Sequence, residues 1–226
     1  MPLTITLGNS KGGSGKSTLC TLLASAFAAN GATVLIVDTD RQATAGQWME
    51  RCIAAKTASP AITLISAIGE NALAKALSGE VDYDLVLIDT KGVMDPVISM
   101  AVSLSDLLLV VCHASMADVT EAKLLIDYLQ KTVGRSTKVL ARVVFNDVDG
   151  IDPKTPAFKN SVAWLTASRV PYVATVIRRR PIYKSFIDNG GLLSKMPGDP
   201  ESVKKAIDNV NRLVAEIFTL TEKAIT

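Results

Sequence analysis

Residues 8–18 read Gly-Asn-Ser-Lys-Gly-Gly-Ser-Gly-Lys-Ser-Thr, and no other stretch constrains the fold as much. An apolar run, Leu3 to Leu7, precedes them and a helix-like run, Leu19 to Ala29, follows. Strand, glycine loop and helix is the context in which G-x-x-x-x-G-K-[ST] cradles phosphate. The pattern fits except at its first glycine, where Ser10 stands. Glycine amides curl into an anion nest because no Cβ keeps phosphate oxygens away. The phosphate contacts expected here are Gly12, Gly13, Ser14, Gly15, Lys16, Ser17 and Thr18. Lys16 supplies a point charge for β and γ phosphates, and the Ser17 hydroxyl suits Mg²⁺.

Short β-branched runs alternate with longer helical stretches along the rest of the chain. That rhythm predicts an α/β fold, a doubly wound and mostly parallel sheet with helices on both faces. Strands are expected at Leu3–Leu7, Thr33–Val37, Ile62–Ile65, Leu85–Ile88, Leu107–Val111, Val139–Phe145 and Tyr172–Val176. Several are apolar without alternation, so both of their faces should be buried. Helices are expected at Lys16–Ala29, Ala43–Ala55, Glu70–Leu77, Val97–Ser103, Asp118–Val133, Ala157–Ala167 and Glu201–Phe218. With 226 residues, 48% of them hydrophobic, one core and one domain over 1–226 are expected. The loop begins at residue 8, so no N-terminal DNA-binding extension is expected.

Two strands end in carboxylates that belong with the loop. Leu85-Val86-Leu87-Ile88-Asp89-Thr90 places Asp89 where a Walker B aspartate holds Mg²⁺ directly or through water. Val34-Leu35-Ile36-Val37 leads into Asp38-Thr39-Asp40, with two carboxylates one residue apart. In an open α/β sheet the chemistry gathers at the carboxyl ends of strands, so both should face the phosphates. A solvated strand end that caps the next helix is the alternative.

Lys11-Gly12-Gly13-Ser14-Gly15-Lys16-Ser17 carries a second lysine near its start, and K-G-G-x-G-K-[ST] resembles the deviant Walker A box of the ParA/MinD family of P-loop ATPases. The resemblance spans nearly the whole chain. It implies Mg²⁺-dependent ATP hydrolysis and a homodimer closed by ATP, in which Lys11 reaches the partner's nucleotide. Asp38-Thr39-Asp40-Arg41-Gln42 is similar to the family's D-x-D-P-Q box, with Arg41 in place of proline. By that resemblance Asp40 handles the attacking water and Asp38 supports the Mg²⁺ shell. Asn146 matches the asparagine that reads the adenine edge, an amide able both to donate and to accept; a plain turn residue is the alternative. The family usually continues Asp-Thr with Pro or Gly. Here Lys91-Gly92 follows, and Lys91 either adds charge at the γ-phosphate or points to solvent.

Charge distribution suggests the output. Residues 153–187 contain no Asp or Glu but seven basic side chains: Lys154, Lys159, Arg169, Arg178, Arg179, Arg180 and Lys184. Such a stretch is a candidate polyanion surface. Family members place non-specific DNA contacts after the last strand, which makes Arg178, Arg179, Arg180 and Lys184 the expected contacts. With little aromatic interleaving, backbone binding is expected rather than base stacking. Glu201–Thr226 balances four basic against four acidic residues, a poor match for anionic lipid, so no membrane attachment is expected. Cys20, Cys52 and Cys112 are scattered and unpatterned, as in a reduced cytoplasmic protein, nucleoid-associated if it binds DNA. The resemblance therefore implies a switch for plasmid or chromosome partition, or for positioning a DNA-processing complex. Its implied partner is a ParB-like or other adaptor that stimulates hydrolysis. A metabolic ligase-like ATPase and a protein-positioning ATPase without DNA binding are the alternatives.

Overall fold

The computed structural model describes residues 2–78, 82–133 and 139–225, apart from the side chains of 223–225. Among them six strands form one sheet: β1 (Leu3–Gly8), β2 (Val34–Asp38), β3 (Ile62–Ser66), β4 (Leu85–Asp89), β5 (Leu107–Cys112) and β6 (Leu140–Phe145). Their order is β3-β2-β4-β1-β5-β6, and every pairing is parallel. From β1 the chain runs to β2 and β3 on one side, returns through β4 beside β1, and continues to β5 and β6 on the other. The crevice between the strand ends flanking β1 is therefore the position where such sheets bind ligands.

Helices α1 (Lys16–Ala29), α2 (Thr44–Ala54), α7 (Pro181–Asn189) and α8 (Pro200–Ile225) bring their apolar faces to one side of the sheet. Helices α3 (Glu70–Leu77), α4 (Pro96–Ser103), α5 (Met116–Thr132) and α6 (Pro156–Ala167) cover the other. Alternate residues of one strand feed opposite layers. Leu107, Leu109 and Val111 meet the first layer, while Leu108, Val110 and Cys112 meet the second. That division explains why these strands are apolar throughout.

The expected seventh strand, Tyr172–Val176, does not form. This segment makes only isolated bridges, Val143 to Tyr172 and Val148 to Arg178. Its backbone meets the β6 edge only at intervals, through the Val173 amide on the Val143 carbonyl and the Ile177 amide on the Phe145 carbonyl, both at 2.9 Å, and α8 holds it between them. Glu216 of α8 accepts the amides of Ala174 (2.6 Å) and Thr175 (2.9 Å). Asn209, one polar residue on the buried face of α8, accepts the Arg178 amide at 2.9 Å and donates to the Val176 carbonyl at 2.8 Å. Side chains thus fill the gaps of an interrupted ladder, leaving the backbone satisfied without continuous strand geometry. The sequence reading also passed over α7. Pro181 opens it at a position where a missing N–H costs nothing, and Tyr183 and Phe186 fix it to the core.

Candidate nucleotide site

The loop between β1 and α1 is braced from its neighbours. The Asn9 amide donates to the Val111 carbonyl of β5, and the Asn9 side-chain oxygen accepts the Lys11 amide at 3.2 Å. Asn146, at the end of β6, donates to the Ser14 carbonyl at 2.9 Å. Gly15 has φ of +85°, and a Cβ there would run into that Asn146 amide. Glycine is required at this point on both counts. His113, the one histidine of the chain, lies 3.2 Å from the Gly13 carbonyl. Asn146 therefore holds the loop in shape, whatever it does toward a base.

Lys16 is 6% exposed and donates to the Lys11 carbonyl at 3.3 Å. Burial lowers its pKa, and the Asp89 and Asp40 carboxylates pull it partly back. Asp89 is fully buried at the end of β4, and neither of its oxygens has a well-formed hydrogen bond among the described residues. Burial pushes its pKa up to about 7, with Asp38 and Asp40 adding to the rise and the Ser17 hydroxyl and Lys16 opposing it. The Ser14 hydroxyl is buried and unpartnered as well. Orphaned buried polar groups are costly unless something completes them.

An acceptor pair at Asp89 beside the Ser17 hydroxyl fits Mg²⁺, which takes one or two carboxylates, phosphate oxygens and waters rather than an all-protein cage. No cluster of three or more His, Cys, Asp or Glu side chains suited to a metal exists among the described residues, in keeping with that mode. Asp38 is already engaged: its oxygens accept the amides of Asp40 (3.0 Å) and Gly46 (3.2 Å), and burial raises its pKa. It shapes the turn that carries Asp40. Asp40 accepts the Gln42 amide at 2.9 Å through one oxygen.

The buried Asp89 makes a pH prediction. Between pH 4 and 7 the folded nucleotide-free chain keeps a proton that the unfolded chain has released. Folding stability should therefore fall as pH rises through that window. Thermal unfolding of Asp89→Asn should lack this slope and should exceed the wild type in Tm at pH 8. An unchanged slope in the variant would contradict the assignment.

Two partners of the loop were missed by the sequence reading. Lys11 pairs with Asp118 of α5 at 2.6 Å, the lysine side chain 44% exposed and the aspartate 11%. The hydrogen bond to Asp118 raises the Lys11 pKa. Burial pushes Asp118 up, but Lys11 and the Ser115 hydroxyl outweigh it and leave its pKa low. Gly92 is the other. A Cβ on it would overlap the Lys11 carbonyl and the Gly12 nitrogen, so the segment after Asp89 lies directly against the loop backbone. Lys91 pairs with Asp95 at 2.7 Å, and Asp95 in turn caps α4. Neither Asp118 nor Gly92 sits in a motif, and only tertiary proximity identifies them.

A cavity of about 590 Å³ opens beside the loop, lined by Gly13, Gly15, Thr18 and Asn146 on one side and by residues of the 178–187 segment on the other. All four expected DNA contacts line it. Arg179 is exposed and forms a two-pronged pair with Asp147, at 3.1 and 2.9 Å. Lys184 is exposed on α7, while Arg178 and Arg180 are half-buried toward the cavity.

Residues 5–193 match the family described as the CobQ/CobB/MinD/ParA nucleotide binding domain. Protein ParA of Rhizobium radiobacter is 26% identical over 229 residues, covering 100% of both chains. Maintenance of carboxysome distribution protein A of Halothiobacillus neapolitanus is 22% identical over 216 residues, covering 95% of this chain and 96% of that one. The crystal structure of a plasmid partition protein of Borrelia burgdorferi B31 bound to AMPPNP superposes with a TM-score of 0.72 at 18% identity, covering 96% of this chain and 99% of that one.

Proposed function

Because the chain belongs to the CobQ/CobB/MinD/ParA nucleotide binding domain family, we propose that it is a ParA-like ATPase whose ATP-bound homodimer binds DNA non-specifically and lets go on hydrolysis. The observation that carries the reading is Lys11. Its ammonium is paired with Asp118 of α5 at 2.6 Å rather than with a group of the phosphate loop. The lysine end of this pair is 44% exposed, and the Ser115 hydroxyl still donates to the more buried Asp118 when the lysine leaves. Lys11 is thus free to exchange Asp118 for a phosphate on a second subunit at little cost.

Each residue then has a task. The amides of Gly12 to Gly15 and the Lys16 ammonium hold the phosphates, with Ser14 and Thr18 at hand as hydroxyl donors. Mg²⁺ held by Ser17 and Asp89 would supply charge opposite the β- and γ-phosphates. Asp38 fixes the turn, and Asp40, with one carboxylate oxygen left over, orients water. Gly92 senses the loop position and passes it through Asp95 to α4. Asn146 braces the loop at the base end of the site.

The DNA-facing surface is the acid-free segment. Its exposed members are Lys154, Lys159, Arg169, Arg179 and Lys184, with Arg178 and Arg180 behind them. Phosphate neutralisation accumulates with each cation engaged, and a dimer doubles the count. Plasmid or chromosome partition, or positioning of another cargo, is the role in keeping with the ParA and carboxysome-distribution relatives. No helix among the described residues is long and apolar enough to cross a membrane.

The test is binding to random-sequence duplex DNA with ATP, ADP or no nucleotide across a salt series. Tight, salt-sensitive binding with ATP alone is expected. Equal binding in all three states, or none, would contradict the DNA-linked switch and favour a protein-positioning or metabolic ATPase.

A further inference from the structure

The cavity beside the phosphate loop holds more positive charge than a nucleoside 5′-triphosphate accounts for. The 5′-phosphates are served by the loop amides and Lys16. The cavity continues one helical turn along α1, from Thr18 to Leu22, and is closed there by Tyr183, Lys184 and Ile187 of α7. With the 5′-phosphates on the loop, that wall would lie toward the nucleoside, whose ribose and base carry no charge. Yet it presents Arg178 and Arg180.

Among the described residues neither arginine is paired with a carboxylate. Asp147 is the one acidic side chain lining the cavity, and Arg179 occupies it through both oxygens. Arg178 reaches only a backbone carbonyl, that of Asp149, at 3.3 Å. The Arg180 guanidinium meets the Tyr183 hydroxyl, and its Nε is buried with no acceptor. A guanidinium offers five donors in a planar fork suited to phosphate. Leaving such donors half-buried and unmatched is unfavourable unless a ligand oxygen completes them.

The segment is also held in place. Asn209 clamps the Arg178 amide and the Val176 carbonyl, and the Tyr183 hydroxyl donates to the Ala206 carbonyl of α8 at 3.0 Å. The two arginines therefore hang from a backbone anchored on α8, which favours a defined binding position over a loose electrostatic edge.

We propose that Arg178 and Arg180 form a second anion subsite in the nucleotide cavity, one that takes a phosphate carried on the ribose 2′ or 3′ oxygen of a bound nucleotide. The proposal rests on the reading of the loop as a nucleotide site and adds a ligand class to it: nucleotides phosphorylated on both edges of the ribose. Such a molecule would engage the loop through its 5′-phosphate and the arginines through the other, so two anchors act in one cavity. Binding of this kind would compete with ATP and lower the active fraction when the doubly phosphorylated nucleotide accumulates.

Calorimetric titration of the full chain with AMP, adenosine 3′,5′-bisphosphate and adenosine 2′,5′-bisphosphate tests this. One of the two bisphosphates should bind at least ~10-fold tighter than AMP, as a charge-assisted phosphate fork implies. That ratio should collapse toward unity in Arg178→Gln and in Arg180→Gln, each checked for folding by thermal unfolding. Bisphosphates binding no tighter than AMP to the wild type would overturn the proposal, and that result depends on no variant. A ratio that survives in both variants, with AMP weakened equally, would assign the arginines to the 5′-phosphates and overturn it too. So would variants that lose duplex DNA binding while keeping the ratio. ATP titrated alongside separates the failures: no ATP binding refutes the nucleotide reading, whereas ATP binding without a bisphosphate preference refutes only the subsite.

Discussion

Lys16→Ala should lower ATP affinity at least ~100-fold. The ammonium is nearly buried at the loop, and that burial lowers its pKa, with Asp89 and Asp40 partly opposing the fall. A charge-assisted hydrogen bond in such a site contributes about 1.5–3 kcal/mol, and removal of the charge beside a triphosphate adds to that. Folding should survive, because the protein partner Lys16 gives up is a single carbonyl, that of Lys11. Its removal also leaves Asp89 without the nearest positive charge. The variant should therefore hold the Asp89 proton to higher pH, steepening the fall of nucleotide-free stability above neutrality. Calorimetry with ATP checks the first effect. Wild-type affinity in a folded variant would remove Lys16 from the site.

Lys11→Ala should behave differently: ATP binding should stay within a few-fold, while ATP-dependent dimerisation and turnover fall by ~100-fold or more. In the single chain the Lys11 ammonium lies on Asp118, while Lys16 donates to the Lys11 carbonyl. Losing it costs the monomer only a half-exposed ion pair. Within a closed dimer the same ammonium would meet phosphate in a site shielded from water, where each charge counts for far more. Asp118→Asn is the informative companion, since it frees Lys11 without deleting it and should ease dimer formation. If Lys11→Ala dimerises normally on ATP, the bridging role is wrong. If it loses ATP binding outright, Lys11 serves its own subunit's nucleotide.

The loop and the buried carboxylate strand were legible because each is local: a run of glycines with two lysines, and four apolar residues ending in Asp89. The sheet could be read for the same reason, since strands buried on both faces are apolar throughout. What escaped depends on partners distant in the chain. Tyr172–Val176 has strand composition, yet Glu216 of α8 accepts its amides and Asn209 of α8 donates to its Val176 carbonyl, from some forty and thirty residues away. Composition does not reveal that interruption of the ladder. Likewise the acid-free run at 153–187 looks like one surface in sequence. In three dimensions Arg178 and Arg180 turn toward the nucleotide cavity, while Arg179 pairs with Asp147. Gly92 could not be distinguished from any turn glycine until it was found against the Lys11–Gly12 peptide.

The central claim is a nucleotide-driven change of assembly. Its most direct test is the mass of the protein in solution by sedimentation velocity with Mg²⁺ and ATP, with ADP, and without nucleotide. Asp40→Ala is included to hold hydrolysis back. The account predicts a monomer without nucleotide and with ADP, and a dimer with ATP that Asp40→Ala makes persistent. A single mass in all conditions, in both proteins, would contradict it.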